Sequence, residues 1–178
     1  MEKKGVEYLL RACGILKDLG LIPSLRVVGD GPLMPSLKEL AAGLDLGREV
    51  EFVGAVSTEA LHGLYAPDTI LVQPSVYASD GERDGIPTVI VEAMAVGTPV
   101  IATRVSGIPE IVSHNETGLL VDEKDPKALA SAILHLHDDG KLCLRLKKNA
   151  RAKVELEYDI RLTTGKVRSL ISKSAGKI

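Results

Sequence analysis

One carboxylate stands in an otherwise apolar segment. Between Pro87 and Val96 the chain reads Pro-Thr-Val-Ile-Val-Glu-Ala-Met-Ala-Val, with Glu92 as the charged residue. A carboxylate is rarely buried unless a donor or cation meets it. Glu92 therefore serves a ligand or has a structural partner, such as a buried Arg or the end of a neighbouring helix. The pattern predicts a buried helix that opens at Pro87, with proline in its first position. That leaves the amides of Thr88 and Val89 without intrahelical acceptors. Free amides at the positive end of a helix dipole attract phosphate. Glu92 lies one turn further along on the side of Thr88, where a carboxylate can accept from two adjacent hydroxyls, as in a ribose diol. The loop ahead of the helix, residues 74–87, holds Asp80, Gly81, Glu82, Arg83, Asp84 and Gly85. That composition is typical of a site and unusual for a plain connector.

Other candidates weigh less. Gly29-Asp-Gly31 follows a predicted strand, but Met34 stands where a dinucleotide fingerprint needs its third glycine. A tight turn beside a ligand crevice is the better reading. His62, His114, His135 and His137 are scattered, no His/Cys/Asp set has metal spacing, and no nucleophile elbow occurs. Cys13 and Cys143 form neither a metal pair nor a disulfide framework, and both are expected to be buried thiols in a reducing cytoplasm.

Positioning these residues requires a scaffold. Short apolar runs at 25–28, 50–53, 69–72, 99–102 and 118–121 read as strands. Helices are predicted over 5–18, from the 29–32 turn to about 44, from Ser57 or Thr58 through Tyr65, over 109–113, from Asp125-Pro126 onward, and over 140–153 and 158–172. Brief apolar strands alternating with helices describe an α/β domain, a parallel sheet covered on both faces. Ligands bind such sheets beyond the carboxyl ends of the strands, where the 74–87 loop begins.

At 178 residues and 45% hydrophobic, the chain suits one domain, 1–178, with a sizeable core. No apolar run spans a bilayer and no signal-peptide pattern opens the chain. Charge is unevenly placed: from Lys141 onward 11 Lys and Arg face 3 Asp and Glu, while the first 140 residues hold 11 against 21. The basic helices of 141–178 are read as a solvated face or as a surface drawn to anionic lipid. A single Phe and no Trp argue against base-stacking recognition of nucleic acid.

Six motifs in order now carry a resemblance. They are Glu2-Lys-Lys4-Gly5, Val28-Gly-Asp-Gly-Pro32, Val50-x-Phe-x-Gly54, Pro74-Ser75 with Asp84-Gly-Ile-Pro-Thr-Val-Ile-Val-Glu92-Ala-Met-Ala-x-Gly97-x-Pro99, Ser106-Gly-Ile-Pro-Glu110 and Thr117-Gly-Leu-Leu-Val. Up to about residue 155 the chain resembles the family 4 retaining glycosyltransferases. The resemblance implies a Rossmann-like domain, the C-terminal, nucleotide-sugar-binding half of a GT-B fold. It implies glycosyl transfer from a nucleotide-diphospho-sugar with retention, without metal or cofactor. Glu92 would bind the ribose hydroxyls, the amides around Gly85, Ile86, Pro87, Thr88 and Val89 would hold the diphosphate and sugar, and Lys4 would be the phosphate-facing cation. The region of 54–58 would face the base. The first acid of the family's E-x7-E motif falls on Asp84, the expected catalytic carboxylate, one methylene shorter than the usual Glu.

The family's first strand would precede residue 1, as would the acceptor-binding N-terminal domain, which must act in cis or in trans. Without that strand, 25–28 must pair with 69–72 or leave a gap filled by another chain. The chain alone is then expected to be less stable, prone to self-association through an unpaired edge, and inactive by itself. The alternatives are a non-catalytic nucleotide-sugar-binding module and a relative of the GT-B sugar-nucleotide epimerases. The expected setting is the cytoplasm, with peripheral contact to anionic membrane.

Overall fold

The computed structural model describes residues 2–66, 68–79, 81 and 85–175. A single 3-10 turn at Glu2–Lys4 leads into helix α1, Val6–Asp18, followed by strand β1, Leu25–Val28, and helix α2, Met34–Gly43. Strand β2, Val50–Gly54, short helix α3, Thr58–His62, and strand β3, Leu71–Gln73, come next. Helix α4, Thr88–Val96, precedes strand β4, Val100–Thr103, helix α5, Ile108–Ile111, and strand β5, Leu119–Val121. Helices α6, Pro126–Asp138, α7, Gly140–Glu157, and α8, Ile160–Ala175, close the chain.

All named strand pairs are parallel, and they form two sheets: β1 beside β2, and β3-β4-β5 in that order. Among the described residues β1 does not pair with β3, so of the two expected arrangements it is the interruption that is present. Alternation along β4 explains why both faces of its sheet are covered. Val100 and Ala102 pack with Ile90, Ala93 and Met94 of α4 and with Ala150 and Val154 of α7. Ile101 turns to the opposite face, against Leu16 of α1 and Leu129 of α6. Helix α7 serves both faces, since its Leu142 and Leu146 join the second cluster. A third cluster beneath α1 and α2 gathers Leu25, Phe52 and Val72, linking the two sheets through side chains.

Local chemistry moved several predicted boundaries. The strand expected at 69–72 begins at Leu71, because the Thr69 hydroxyl closes a turn by donating to the Ala66 carbonyl at 2.8 Å and accepting from the Ala66 amide at 3.1 Å. Ser57 caps α3 as expected, accepting from the Ala60 amide at 3.2 Å, but the helix stops at His62, ahead of Gly63. Cys13 is buried, and burial pushes its thiol up to about 11. Cys143 is only half-buried, a correction to the expected pair of buried thiols.

Candidate functional site

The site begins at the carboxyl ends of β3, β4 and β5, where buried polar groups fix the backbone. Gln73 Nε2 donates to Ser75 Oγ at 2.8 Å, and the Thr103 hydroxyl donates to the Ser75 carbonyl. These groups are buried, so each hydrogen bond avoids a desolvation cost as well as adding its own strength. The Tyr77 amide donates to Glu123 Oε2 at 2.8 Å, and the Tyr77 hydroxyl accepts from the Ser106 amide at 3.2 Å. The loops after all three strands are thereby joined.

The first turn of the chain docks on the same place. The Val76 amide donates to the Lys3 carbonyl at 3.0 Å, and the Ser79 hydroxyl donates to Glu2 Oε2 at 2.8 Å. Gly5 makes this approach possible, because it has φ of 59° and a Cβ there would overlap the Pro74 carbonyl oxygen. Lys4, half-buried, is therefore held at the carboxyl end of β3, where the 74–87 loop departs. Asp84 lies outside the described residues. Gly85 is exposed, while Ile86 is half-buried against the core beneath α4 and closes on Gly107 in the loop after β4.

Helix α4 starts one residue later than its sequence predicts. Pro87, with φ of −65° and ψ of 123°, is the N-cap and not the first helical residue, because its ψ is extended. Its carbonyl accepts from the Ile90 amide at 3.0 Å. The amides of Thr88 and Val89 still lie at the positive end of the helix without an intrahelical acceptor. Nor is the helix wholly buried. Ile90, Ala93 and Met94 are sealed, but Thr88, Ala95 and Val96 are exposed and Glu92 shares their side. At helical spacing these four make one open stripe, so the lone carboxylate sits where a ligand can reach it.

Among the described residues no buried Arg meets Glu92 and its carboxylate caps no helix amide; its neighbours are Tyr65 and His62, the last residue of α3. Its side chain is 32% exposed, accepts from the Tyr65 hydroxyl at 3.0 Å through Oε2, and has His62 Nε2 4.0 Å from that same oxygen. Neither aromatic residue was legible as a site residue. The predicted helix through Tyr65 brings the two onto one face three residues apart, but nothing in their spacing relates them to a carboxylate 27 positions downstream.

Burial, followed by the hydrogen bond and charge of Glu92, pushes the Tyr65 phenol well above its ordinary value near 10. The fold favours the neutral phenol, so this stabilisation is complete below pH 10 and is lost as pH climbs toward the native value. At pH 10.5 the native chain is expected to show fewer phenolates by absorbance at 295 nm than the unfolded chain at the same pH. Tyr65→Phe should leave the native signal unchanged while lowering that of the unfolded chain by about one quarter, since one of four tyrosines is lost. An equal fall in both would show that Tyr65 ionises freely.

Among the described residues no group of three His, Cys, Asp or Glu side chains is placed to hold a metal ion. Parallel strands alternating with helices place the chain in the class of open-sheet α/β proteins, with Thr88, Val89 and Glu92 beyond the carboxyl ends of β3 to β5. The family is narrower. The chain belongs to the glycosyl transferases of group 1, whose pattern matches residues 1–153. Amylovoran biosynthesis glycosyltransferase AmsK of Erwinia amylovora is 36% identical over 174 residues, which are 98% of this chain and 43% of that protein. Anabaena HepE, solved in complex with UDP, superposes with a TM-score of 0.82 at 22% identity, over 97% of this chain and 46% of its own. The C-terminal domain of the group 1 protein LpcC from Francisella tularensis superposes at 0.73 with 24% identity, covering 90% of this chain and 82% of that domain. The two superpositions establish the fold, a GT-B-type α/β domain that matches the C-terminal domain of LpcC. The chain spans less than half the length of the curated relatives it matches, 43% in the case of AmsK.

Proposed function

We propose that residues 1–178 form one donor-binding domain of a retaining, family 4 glycosyltransferase, which holds a nucleotide-diphospho-sugar at the carboxyl ends of β3 to β5. The observation that carries this reading is the pairing, on one helix, of free amides at Thr88 and Val89 with a reachable carboxylate at Glu92. The amides suit a diphosphate, and the carboxylate one turn away suits the ribose hydroxyls. HepE was solved in complex with UDP, which supports the same ligand class, and AmsK is named as an amylovoran biosynthesis glycosyltransferase.

Chemically, the donor's C1–O bond to the diphosphate breaks as a bond to an acceptor hydroxyl oxygen forms on the same face, and the hydroxyl's proton passes to the departing diphosphate oxygen. Charge accumulates on the leaving diphosphate, where the amides of Gly85, Ile86, Thr88 and Val89 and the Lys4 cation meet it with fixed dipoles and a positive charge, Pro87 having no N–H to offer. Asp84 is assigned to the donor-sugar side, as support for positive charge at the anomeric carbon. No step in this scheme calls on a metal or cofactor. The acceptor is held by an N-terminal domain in cis or in trans, and this chain alone is assigned binding without turnover.

A differential-scanning and calorimetric screen against UDP, GDP, ADP and their sugars tests the reading. Stabilisation by one of them is expected, and a folded chain that binds none would overturn it.

No helix among the described residues is long and apolar enough to cross a membrane. A cytoplasmic enzyme touching anionic lipid is the accompanying proposal. Lys141, Arg145, Lys148 and Arg151 of α7 are exposed, as are Leu144, Leu156 and Ile160, the mixture an interfacial surface uses. Co-sedimentation is expected with vesicles containing phosphatidylglycerol and not with phosphatidylcholine alone. Equal recovery with both would remove the membrane assignment.

A further inference from the structure

We infer that Tyr65 is a positioning residue for the donor nucleotide: its hydroxyl holds Oε2 of Glu92 so that Oε1 is presented to the ribose. This rests on the proposed role of Glu92. A glutamate on a half-open helix face samples several rotamers, and fixing one on binding costs affinity. Here the rotamer is set in advance. The Tyr65 hydroxyl stands 3.0 Å from Oε2, with the ring packed against the core beneath α4. Among the described residues Oε1 accepts from no protein donor, so one oxygen is engaged and the other remains available.

Tyr65 is itself anchored to the helix that it serves. The adjacent Ala66 carbonyl accepts from the Thr69 hydroxyl at 2.8 Å and from the Thr98 hydroxyl at 3.3 Å. Thr98 directly follows Gly97, the C-cap of α4. The loop carrying Tyr65 is thus clamped to the far end of the helix while the phenol clamps its middle. The His62 imidazole, with its ring 6.3 Å from that of Tyr65, closes the Oε2 side of the carboxylate. A ligand hydroxyl can then approach from the Oε1 side.

A tie that merely holds the loop would affect stability alone, whereas a positioning contact must show in ribose selectivity. The test compares binding of UDP, GDP and ADP with their 2′,3′-dideoxy counterparts, for the wild-type chain, Tyr65→Phe and Glu92→Ala. The wild type is expected to prefer the ribose form. Tyr65→Phe should weaken binding of that form about 5- to 10-fold while leaving the dideoxy form unchanged. In a Glu92→Ala background, Tyr65→Phe should change neither. Glu92→Gln supplies a second arm with Tyr65 intact. The phenol then engages the amide oxygen, leaving the amino group toward the ribose, so the preference falls and adding Tyr65→Phe restores part of it. Tyr65→Phe with an undiminished ribose preference, or with both forms weakened equally, would overturn the positioning role and leave the donor site standing. A wild-type chain that binds nucleotides without preferring ribose, or binds none, would overturn the Glu92 assignment and this inference with it.

Discussion

Glu92→Ala is expected to weaken nucleoside diphosphate binding about 100-fold, the largest loss from a single side chain in this domain. Hydrogen bonds to a charged group are worth about 1.5–3 kcal/mol each. Two ribose hydroxyls meeting a carboxylate that is 32% exposed, and so partly hydrated beforehand, set the loss near 3 kcal/mol, or about two decades in affinity. The fold should survive the change. Glu92 lies on the open stripe of α4, alanine is a strong helix former, and the released Tyr65 hydroxyl is near enough to the surface to find water. Isothermal titration with the stabilising nucleotide, beside a melting curve of the free variant, separates the two effects. Unchanged affinity with a lowered melting temperature would make Glu92 an acceptor for Tyr65 and nothing more.

Gly5→Ala should cost stability, by about 2–5 kcal/mol. Left-handed backbone costs a residue with a Cβ about 1–2 kcal/mol, and forcing an atom into occupied space adds about 1–3 kcal/mol. Both apply at Gly5, where φ is 59° and the Cβ would overlap the Pro74 carbonyl oxygen. Relief would require the first turn to lift away from Val76 and Ser79, carrying Lys4 with it. Gly20→Ala is the matched control, with φ of 86° and nothing within 4 Å of its Cβ, so only the backbone penalty applies there. Urea unfolding of the two variants is expected to place Gly5→Ala well below Gly20→Ala. Equal midpoints would show that the close approach relaxes freely. Against the 5–15 kcal/mol typical of a domain, the larger loss would be felt at 37 °C.

Much of this architecture was written locally. Apolar runs of four or five residues separated by helical stripes specify strands and helices through burial periodicity, a property of neighbours in sequence. Caps such as Ser57 and Asp125, which accepts from the Ala128 amide at 2.9 Å, are likewise short-range. The isolation of Glu92 among apolar residues needed no coordinates either, because a lone carboxylate is costly unless something meets it.

Departures from the sequence pattern have both local and distant causes. Pro87 became a cap because its ψ is extended, and proline restrains φ alone. The burial of α4 was overestimated because composition shows what a helix can bury and not which face the rest of the molecule covers. Cys143 stayed half-exposed for the same reason.

By itself the sequence determined the order and type of the elements, the family, and the presence of a carboxylate one turn beyond free amides. These follow from interactions within a few residues or from motifs read in order. Only the tertiary structure decided that, among the described residues, β1 and β3 do not pair with each other, that Lys4 is docked at the end of β3, and that Tyr65 and His62 meet Glu92. Those contacts join residues 27 to 77 positions apart, and side-chain chemistry specifies no partner until packing brings the two ends together.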